Sequence, residues 1–311
     1  MMTARYDVII VGAGIAGMTA AIYASRAGKK VLVLEERVHG GQIINTFDIE
    51  NWPGAPGISG VDLVNSIYEQ VVNLGVEVEY DAVVEIRRGE PFIVKTEDAE
   101  YTAESVILAV GAEDKKLGLA SEEKLTGHGV SYCATCDGSF YKDKPVAVIG
   151  GGNTALYDAL YLADIAKKIY LVHRRDEFRG DAVLVERLRK FENVEFVTPF
   201  VLNEIIGEDR VTCAKVEMVD GGKVRAADKY RFLEVDGIFV AIGKKPMTGR
   251  FADLVKLDEN GYVVAGEDCV TTCPGVFVAG DCRTKSVRQL VTAAGDGAVA
   301  AERAVEYLGQ K

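Results

Sequence analysis

Residues 8–17 read VIIVGAGIAG, a short apolar run that is followed at once by a glycine pattern. The next stretch, MTAAIYASRAGK (18–29), has helical character, and VLVLE (31–35) then reads as a second strand. A G-x-G-x-x-G pattern acquires meaning in this context, between a strand and a helix and with an acid near the end of the next strand. Glu35 supplies that acid, eighteen residues beyond Gly17. The stretch therefore predicts a βαβ unit that binds a dinucleotide.

A second copy of this unit begins with VAVIGGGNTA (146–155) and ends with IYLVHRRDEFR (169–179). Adding 138 to a residue number converts Gly12 to Gly150 and Glu35 to His173, with the glycine motif, helix and second strand in register. A repeat that keeps its offset over three features is far more specific than a lone glycine motif. The chain therefore contains two predicted dinucleotide sites.

The order of the strands predicts that one domain is inserted into the other. Each copy returns through an apolar strand that ends in glycine, SVILAVGA (105–112) and GIFVAIGK (237–244), and VFVAGD (276–281) reads as one more strand of the first copy. We predict an α/β fold with two Rossmann-like dinucleotide-binding domains, the second inserted into the first. The predicted ranges are 1–114 with 243–311 and 115–242, with crossings near 112–115 and 241–245.

Composition narrows the classes of partner. The formal net charge of −11 argues against nucleic acid or an anionic membrane, because the overall field repels both. Residues 8–25 carry no charge, but three glycines interrupt this run, so we expect neither a membrane span nor a signal sequence. We expect a cytoplasmic protein whose six cysteines meet a reducing environment and form no disulfide framework.

The ends of the second strands indicate which nucleotide each site prefers. Glu35 can accept hydrogen bonds from ribose hydroxyls and would repel a 2′-phosphate. The corresponding stretch of the second copy is His173, Arg174 and Arg175, with Arg179 a turn later. Guanidinium groups pair bidentately with phosphate oxygens, so the second site is predicted to take NADPH rather than NADH. A solvated charged face is the alternative interpretation.

Two dinucleotide sites in one chain suggest a resident flavin and an exchangeable nicotinamide, and further turns favour FAD in the first site. GGQI (40–43) and ENWPG (50–54) are glycine-rich and polar turns suited to lining a ring system. GD (280–281) ends a strand and precedes a predicted helix over 287–308, whose N-terminus is suited to a phosphate or ribityl chain. Each of these signals is weak alone.

The stretch SYCATCDGSF (131–140) contains a Cys-x-x-Cys pair, Cys133 and Cys136, followed by Asp137. This spacing serves redox catalysis, zinc binding or a structural disulfide. Zinc is disfavoured because the remaining cysteines supply no matching pair, and we predict no metal site. The other four cysteines, Cys213, Cys269, Cys273 and Cys282, are interpreted as core or loop residues, although the role of Cys282 beside Asp281 stays open. Asp137 is the acid/base candidate, with an ordinary turn aspartate as the alternative.

Taken together, GAGIAG, GGQI, ENWPG, CATCDG, GGGNTA, HRRDEFR and GDCRTKSVRQLVTAAGDGA resemble the low-molecular-weight thioredoxin reductase family over residues 6–308. The resemblance implies an FAD domain in two segments, an inserted NADPH domain that carries the redox disulfide, and a homodimer. It implies that Cys136 faces the flavin while Cys133 attacks the partner. The implied FAD contacts are Gly12, Ala13, Gly14, Gly17, Glu35, Gly41, Gln42, Asn51, Gly111, Gly280, Asp281, Arg288 and Gln289. The implied NADPH contacts are Gly150, Gly152, Asn153, Thr154, His173, Arg174, Arg175, Arg179, Ile242 and Gly243.

The leading hypothesis is therefore a flavoprotein disulfide reductase that passes electrons from NADPH through FAD to the Cys133–Cys136 disulfide and on to thioredoxin or a thioredoxin-like protein. Because the dithiol is carried by the nicotinamide domain, the two redox partners of the flavin are expected to alternate by a rotation about the crossings. Tyr132 and Ser139 flank the cysteines and are candidates for tuning the fit of the partner. One alternative is a reductase of a glutaredoxin-like or peroxiredoxin partner, and another is a nucleotide-binding redox sensor without sustained turnover. Ferredoxin-fed relatives would be expected to lose the nicotinamide motifs, which are intact here.

Overall fold

The computed structural model describes residues 4–46, 48–220, 223–224 and 229–311. The chain forms two compact units. Unit 1 consists of Met1–Glu113 and Lys245–Lys311, and unit 2 of Asp114–Lys244. The second unit is thus inserted into the sequence of the first.

The two units are built from strands and α-helices. The strands are β1 (Arg5–Val11), β2 (Val31–Glu35), β3 (Glu77–Tyr80), β4 (Val83–Arg87), β5 (Phe92–Thr96), β6 (Glu100–Leu108), β7 (Ala112–Asp114), β8 (Val130–Ser131), β9 (Pro145–Ile149), β10 (Lys168–Val172), β11 (Val194–Val197), β12 (Phe200–Ile206), β13 (Cys213–Asp220), β14 (Lys223–Val224), β15 (Tyr230–Glu234), β16 (Gly237–Val240), β17 (Lys244–Pro246) and β18 (Val276–Val278). The α-helices are α1 (Ile15–Arg26), α2 (Gly60–Asn73), α3 (Glu122–Leu125), α4 (Ala134–Asp137), α5 (Asn153–Ala163), α6 (Ala182–Leu188) and α7 (Leu290–Gly309).

The sheet of unit 1 has the order β3-β2-β1-β6-β5-β4, with β18 beside β6. Besides its pairing with β1, β6 is long enough to pair with two further strands: Glu100–Ala103 pair antiparallel with β5, and Val106–Leu108 pair parallel with β18. β1, β2 and β3 are parallel to β6, as expected for a βαβ unit. The strand 276–278 therefore belongs to the first unit, beside the strand that leaves it.

The central strands of unit 1 are apolar on both faces because both faces are covered. Val8 and Ile10 pack towards α1 and α7, in a core cluster that includes the small residues of these helices. Ile9 and Leu32 lie in a second cluster with Phe251. Removal of this apolar surface from water is the main driving force that holds the sheet between its two covers.

Unit 2 repeats the pattern with the parallel order β11-β10-β9-β16-β8. Val146 and Val148 pack with α5 and α6 on one face of this sheet. Ala147 and Ile149 pack on the other face, against the antiparallel strands β12, β13 and β15. The period-2 alternation of strand side chains therefore assigns each residue of β9 to one of two cores.

Three further observations concern the predicted segments. The crossing segments contain β7 and β17, which form a two-stranded sheet. The last helix begins at Leu290 instead of 287, because Gln289 is extended and caps the helix in a reciprocal pair with Thr292. In the described part of the chain, every helix is too short or too polar to cross a bilayer.

Candidate active site

The glycines of the first motif have distinct structural roles. A Cβ at Gly12 would lie 2.4 Å from the Ala109 carbonyl oxygen, and a Cβ at Gly17 would lie 1.8 Å from the Gly12 carbonyl oxygen, so both positions need close backbone packing. A Cβ at Gly14 would meet nothing within 4 Å. The space in front of the N-terminus of α1 is therefore open, which fits a dinucleotide pyrophosphate.

The second motif has the same geometry. A Cβ at Gly150 would lie 2.3 Å from the Ala241 carbonyl oxygen, whereas a Cβ at Gly152 would meet nothing within 4 Å. Ala155 replaces the third glycine and packs against Gly150. The predicted sites Ile242 and Gly243 follow Ala241 directly, at the end of β16. Open space again lies in front of a helix, here α5, whose exposed first turn contains Asn153 and Thr154.

Several predicted FAD residues converge on the start of α1. Glu35 accepts hydrogen bonds from the amide of Ala13 at 2.7 Å and from the amide of Arg37 at 3.0 Å, so its carboxylate bridges the glycine turn and the end of β2. The GGQ turn lies against the same loop, because the Gly40 amide donates to the Ala13 carbonyl and Gly41 approaches Gly14. The side-chain amide of Gln42 donates to the backbone carbonyl of Ala112.

The remaining predicted FAD residues form a second group in unit 1. Gly280 packs against α1, where a Cβ would lie 2.9 Å from that of Ala16. Arg288 donates to the Asp281 carbonyl at 3.3 Å, and the Asn51 amide donates to Gln289 at 3.2 Å. Gly111 lies just beyond the Ala109–Val110 backbone that packs on Gly12, and its carbonyl accepts from the Met247 amide at the crossing. The donor and acceptor groups suit a ribityl and pyrophosphate chain.

The segment around His173 folds back on the second motif. The amide of Arg179 donates to the Gly151 carbonyl at 2.8 Å, and the Asn153 side chain accepts from the Asp181 amide at 2.7 Å. His173 stacks on Phe178, and a Cβ at Gly151 would collide with its ring. Burial lowers the pKa of His173, and the neighbouring arginines lower it further, so the imidazole is neutral.

One buried nitrogen and three exposed guanidinium groups of this segment are available to bind a ligand. The Nε2 atom of His173 is buried and has no hydrogen-bond partner among the described residues. Arg174, Arg175 and Arg179 are exposed, and no described carboxylate forms an ion pair with them. A buried orphan nitrogen beside three solvent-facing guanidinium groups fits a nucleotide that carries an additional phosphate.

Cys133 and Cys136 form a disulfide, with a Cα–Cα distance of 5.3 Å, around the short helix α4. Both residues are half-buried, and the hydroxyl of Thr135 lies 3.4 Å from Cys133 Sγ. Ser131, at the end of β8, organises the turn: its hydroxyl donates to Asp137 Oδ2 at 2.6 Å and accepts from the Cys133 amide at 3.1 Å. Sequence reasoning missed Ser131, although its place at a strand end before the pair was visible.

Asp137 is not an ordinary solvated turn residue. Burial raises its pKa, and the hydrogen bond from Ser131 opposes that rise without cancelling it. Burial also raises the pKa of nearby Tyr141 to about 12, with Asp137 and Asp236 adding to the rise. A carboxyl group with a raised pKa beside a disulfide is a candidate for proton transfer.

The other cysteines differ from this pair. Cys269, Cys273 and Cys282 are buried, and burial raises the pKa of both Cys269 and Cys282 to about 12. The thiol of Cys282 lies 3.3 Å from the Ala279 carbonyl, to which it donates. These groups are protonated packing residues and poor nucleophiles, and this describes the role of Cys282 that the sequence left open. Among the described residues, no three His, Cys, Asp or Glu side chains form a cluster that could hold a metal ion.

Comparison with known proteins identifies the class. The family model of the pyridine nucleotide-disulphide oxidoreductases matches residues 6–297, and the chain belongs to this family. The thioredoxin reductase of Listeria innocua is 44% identical over 306 residues, covering 97% of this chain and 94% of its own. The thioredoxin reductase of Bacillus subtilis is 42% identical over 304 residues, covering 97% of this chain and 95% of its own.

A solved structure agrees with these relatives. The thioredoxin reductase of Streptococcus pyogenes superimposes with a TM-score of 0.92 at 41% identity, covering 99% of this chain and all of that chain. The protein is a flavoprotein disulfide reductase that uses FAD and NADPH. The predicted family, α/β fold with two dinucleotide-binding domains, enzyme class and cofactors are confirmed, and the alternatives of a different reductase partner or a sensor are not favoured. The individual site residues and the domain ranges stay predictions.

Proposed function

We propose that the protein reduces thioredoxin at the expense of NADPH, with FAD held by unit 1 and NADPH by unit 2. The observation that carries the proposal is the juxtaposition of the Cys133–Cys136 disulfide with the half-buried carboxyl group of Asp137, whose pKa is raised by burial. The names of the relatives described above support thioredoxin as the substrate.

In this proposal unit 1 holds FAD through the glycine turn, the Glu35 carboxylate and the second group of predicted FAD residues described above. The residues assigned to FAD are Gly12, Ala13, Gly14, Gly17, Glu35, Gly41, Gln42, Asn51, Gly111, Gly280, Asp281, Arg288 and Gln289. In unit 2, Gly150, Gly152, Asn153, Thr154, His173, Arg174, Arg175, Arg179, Ile242 and Gly243 hold NADPH. Bound FAD supplies the transfer of an electron pair from the nicotinamide to the disulfide.

The dithiol that results performs two exchange steps. Cys133 is the attacking group: its thiolate displaces one sulfur of the thioredoxin disulfide and forms a mixed disulfide. The Cys136 thiolate then attacks Cys133 Sγ, which releases reduced thioredoxin and restores the Cys133–Cys136 bond. The nearby Thr135 hydroxyl supports this assignment, because a donor at 3.4 Å stabilises a thiolate on Cys133.

Asp137 is assigned to the proton transfers that accompany these steps. Burial raises its pKa, which favours the protonated carboxyl group that can deliver a proton to a departing thiolate. Ser131 fixes the carboxyl group by the 2.6 Å hydrogen bond. The turn around α4 thus brings a proton donor and two sulfurs into one short segment.

We further propose a homodimer that works in the cytoplasm. The dimer follows from the family resemblance, and a reducing compartment with a pool of NADPH suits an enzyme that must keep regenerating a dithiol. Sedimentation of the holoenzyme checks the dimer independently of turnover.

An anaerobic titration of the flavin-loaded protein tests the central proposal. NADPH or NADH is added while flavin absorbance is recorded and newly reactive thiols are counted. We expect NADPH to bleach the flavin at much lower concentration than NADH and to release two thiols, both absent in Cys136→Ser. Bleaching without new thiols would exclude the cysteine pair as the acceptor, and a flavin that neither nucleotide bleaches would exclude the nicotinamide donor.

A further inference from the structure

Glu122 lies at the start of α3, in the polar stretch SEEK (121–124), where an exposed side chain is expected. Only 3% of Glu122 is exposed. Its Oε1 accepts from the Leu117 amide at 2.9 Å and its Oε2 from the amides of Gly118 at 2.7 Å and Leu119 at 3.3 Å. The carboxylate thus orders the segment 115–119, which follows the first crossing.

The same carboxylate reaches the cysteine turn. The hydroxyl of Tyr132 donates to Glu122 Oε1 at 2.7 Å, and the ammonium of Lys116 lies 3.9 Å from the centre of the Tyr132 ring. Tyr132 is the residue immediately before Cys133. Burial raises the pKa of Glu122, but the four hydrogen bonds it accepts lower it by more, so the carboxylate is ionised.

Two anchors therefore fix the backbone that leads into the disulfide. Ser131 holds it from the side of Asp137, and Tyr132 holds it from the side of Glu122. A hydrogen bond to an ionised acceptor is stronger than one between neutral groups, and burial strengthens it further. The second anchor engages neither sulfur directly, so it acts by restricting the position of Cys133.

We propose that Glu122 is a positioning residue of the dithiol: through Tyr132 it ties the backbone of Cys133 to the segment 115–119 and so favours closure of the Cys133–Cys136 disulfide. The inference rests on the proposed role of this cysteine pair. An open dithiol loses the restraint of the S–S bond, and an anchored Cys133 backbone keeps the two thiols at high effective concentration. Loss of the anchor should therefore make the disulfide easier to reduce.

Tyr132→Phe is the decisive variant, since it retains the ring and the contact with Lys116 and removes one hydroxyl. The holoenzyme is equilibrated with mixtures of reduced and oxidised dithiothreitol, in which one dithiothreitol is oxidised to its cyclic disulfide for each protein disulfide reduced to two thiols. Alkylation counts the protein thiols, and absorbance reports the flavin separately. We expect the ratio of reduced to oxidised dithiothreitol at half-reduction to fall by roughly fivefold to thirtyfold, the factor associated with freeing about one residue of backbone.

Glu122→Gln tests the carboxylate itself, with the exposed neighbour Glu123→Gln as the matched control. The glutamine places an amide donor against the backbone amides of residues 117–119, so its shift should be at least that of Tyr132→Phe. The double variant should shift no further than Glu122→Gln alone, because both changes break one tie. Additive shifts of the half-reduction ratio in the double variant would refute the inference that Glu122 acts through Tyr132. If Glu122→Gln does not fold, the shift in Tyr132→Phe alone tests the inference.

The outcomes separate a positioning role from a merely structural one. If Tyr132→Phe lowers the melting temperature but leaves the half-reduction ratio at the parent value, Glu122 only stabilises the fold and the inference is wrong. Failure of NADPH to generate thiols in the unmodified protein would instead contradict the proposed function.

Discussion

The contact between Ser131 and Asp137 predicts how the enzyme should respond to pH. Replacement of Ser131 by alanine removes the hydrogen bond that opposes the effect of burial on the pKa of Asp137. A hydrogen bond to the carboxylate stabilises the charged form, so its loss raises the pKa further. The range over which Asp137 is protonated should then extend to higher pH.

The size of the change follows from the energy of one hydrogen bond. A hydrogen bond to a charged group contributes about 1.5–3 kcal/mol, and one pKa unit corresponds to about 1.36 kcal/mol. Water or a rotated donor replaces part of this stabilisation, because Asp137 is only half-buried by surface exposure. We therefore expect the pKa of Asp137 to rise in Ser131→Ala by less than the full energy of that hydrogen bond would give.

The assay is the pH dependence of kcat/KM for a disulfide acceptor between about pH 5 and pH 9. In Ser131→Ala the limb assigned to Asp137 should move to higher pH, and in Asp137→Asn it should disappear. Ser25→Ala in unit 1, whose hydroxyl donates to the Leu74 carbonyl, serves as the matched control and should retain the parent profile. The reasoning is refuted if Asp137→Asn abolishes a limb that Ser131→Ala leaves in place or moves to lower pH.

Three further predictions concern the cofactor sites and a buried ion pair. Replacing Arg174 or Arg175 by alanine should raise the KM for NADPH by about tenfold for each residue, because each guanidinium–phosphate hydrogen bond contributes about 1.5–3 kcal/mol. The KM for NADH should stay constant, and steady-state kinetics with both nucleotides checks this. Gly14→Val should lose FAD but keep the melting temperature of the apoprotein, since its side chain enters open space, whereas Gly17→Ala collides with backbone and should lower that temperature; calorimetry of both apoproteins distinguishes them. Asp296→Asn breaks the buried contacts of Asp296 with a guanidinium and an ammonium group at 2.8 Å and should cost about 3 kcal/mol of unfolding free energy at pH 7. The pKa of Asp296 is lowered in the folded protein, so the stabilisation is present above its unfolded pKa and is lost as pH falls through the folded value. Denaturant unfolding at pH 7 and at about pH 2, below the unfolded pKa of an aspartate, should therefore show a smaller difference between variant and parent at the lower pH.

The sequence predicted the features that depend on local pattern. The glycine motifs at Gly12 and Gly150 are read from contiguous residues, because strand, turn and helix impose steric demands within one short segment. The start of α7 was placed three residues too early, since Arg288 and Gln289 look compatible with a helix and only the capping geometry of Gln289 shows that the chain is extended there.

The features that sequence reasoning missed depend on contacts between distant segments. Glu122 lies in an ordinary charged stretch, and only the fold brings its carboxylate to Tyr132. Asp296 lies in a small-residue helix and is buried against Arg283 and Lys285. A charged side chain is seldom buried unless other groups pair with it. Neither periodicity nor composition shows which residues of the chain those groups belong to.

The two nucleotide motifs share one scaffold but differ in whether the side chains assigned to the ligand are already held by other groups of the protein. The Glu35 carboxylate already accepts from two backbone amides, so little side-chain freedom remains to be lost when a ribose binds. The exposed guanidinium groups of Arg174, Arg175 and Arg179 must be immobilised on binding, and an arginine side chain carries about 2 kcal/mol of rotamer entropy. Under the proposed assignment, the first site, with its hydrogen-bonded carboxylate, suits a resident FAD, and the second site, with its exposed guanidinium groups, suits an NADPH that must bind and leave in each turnover. The two sites therefore share the glycine motif and differ in the side chains near the end of the second strand: a hydrogen-bonded carboxylate in unit 1 and exposed guanidinium groups in unit 2.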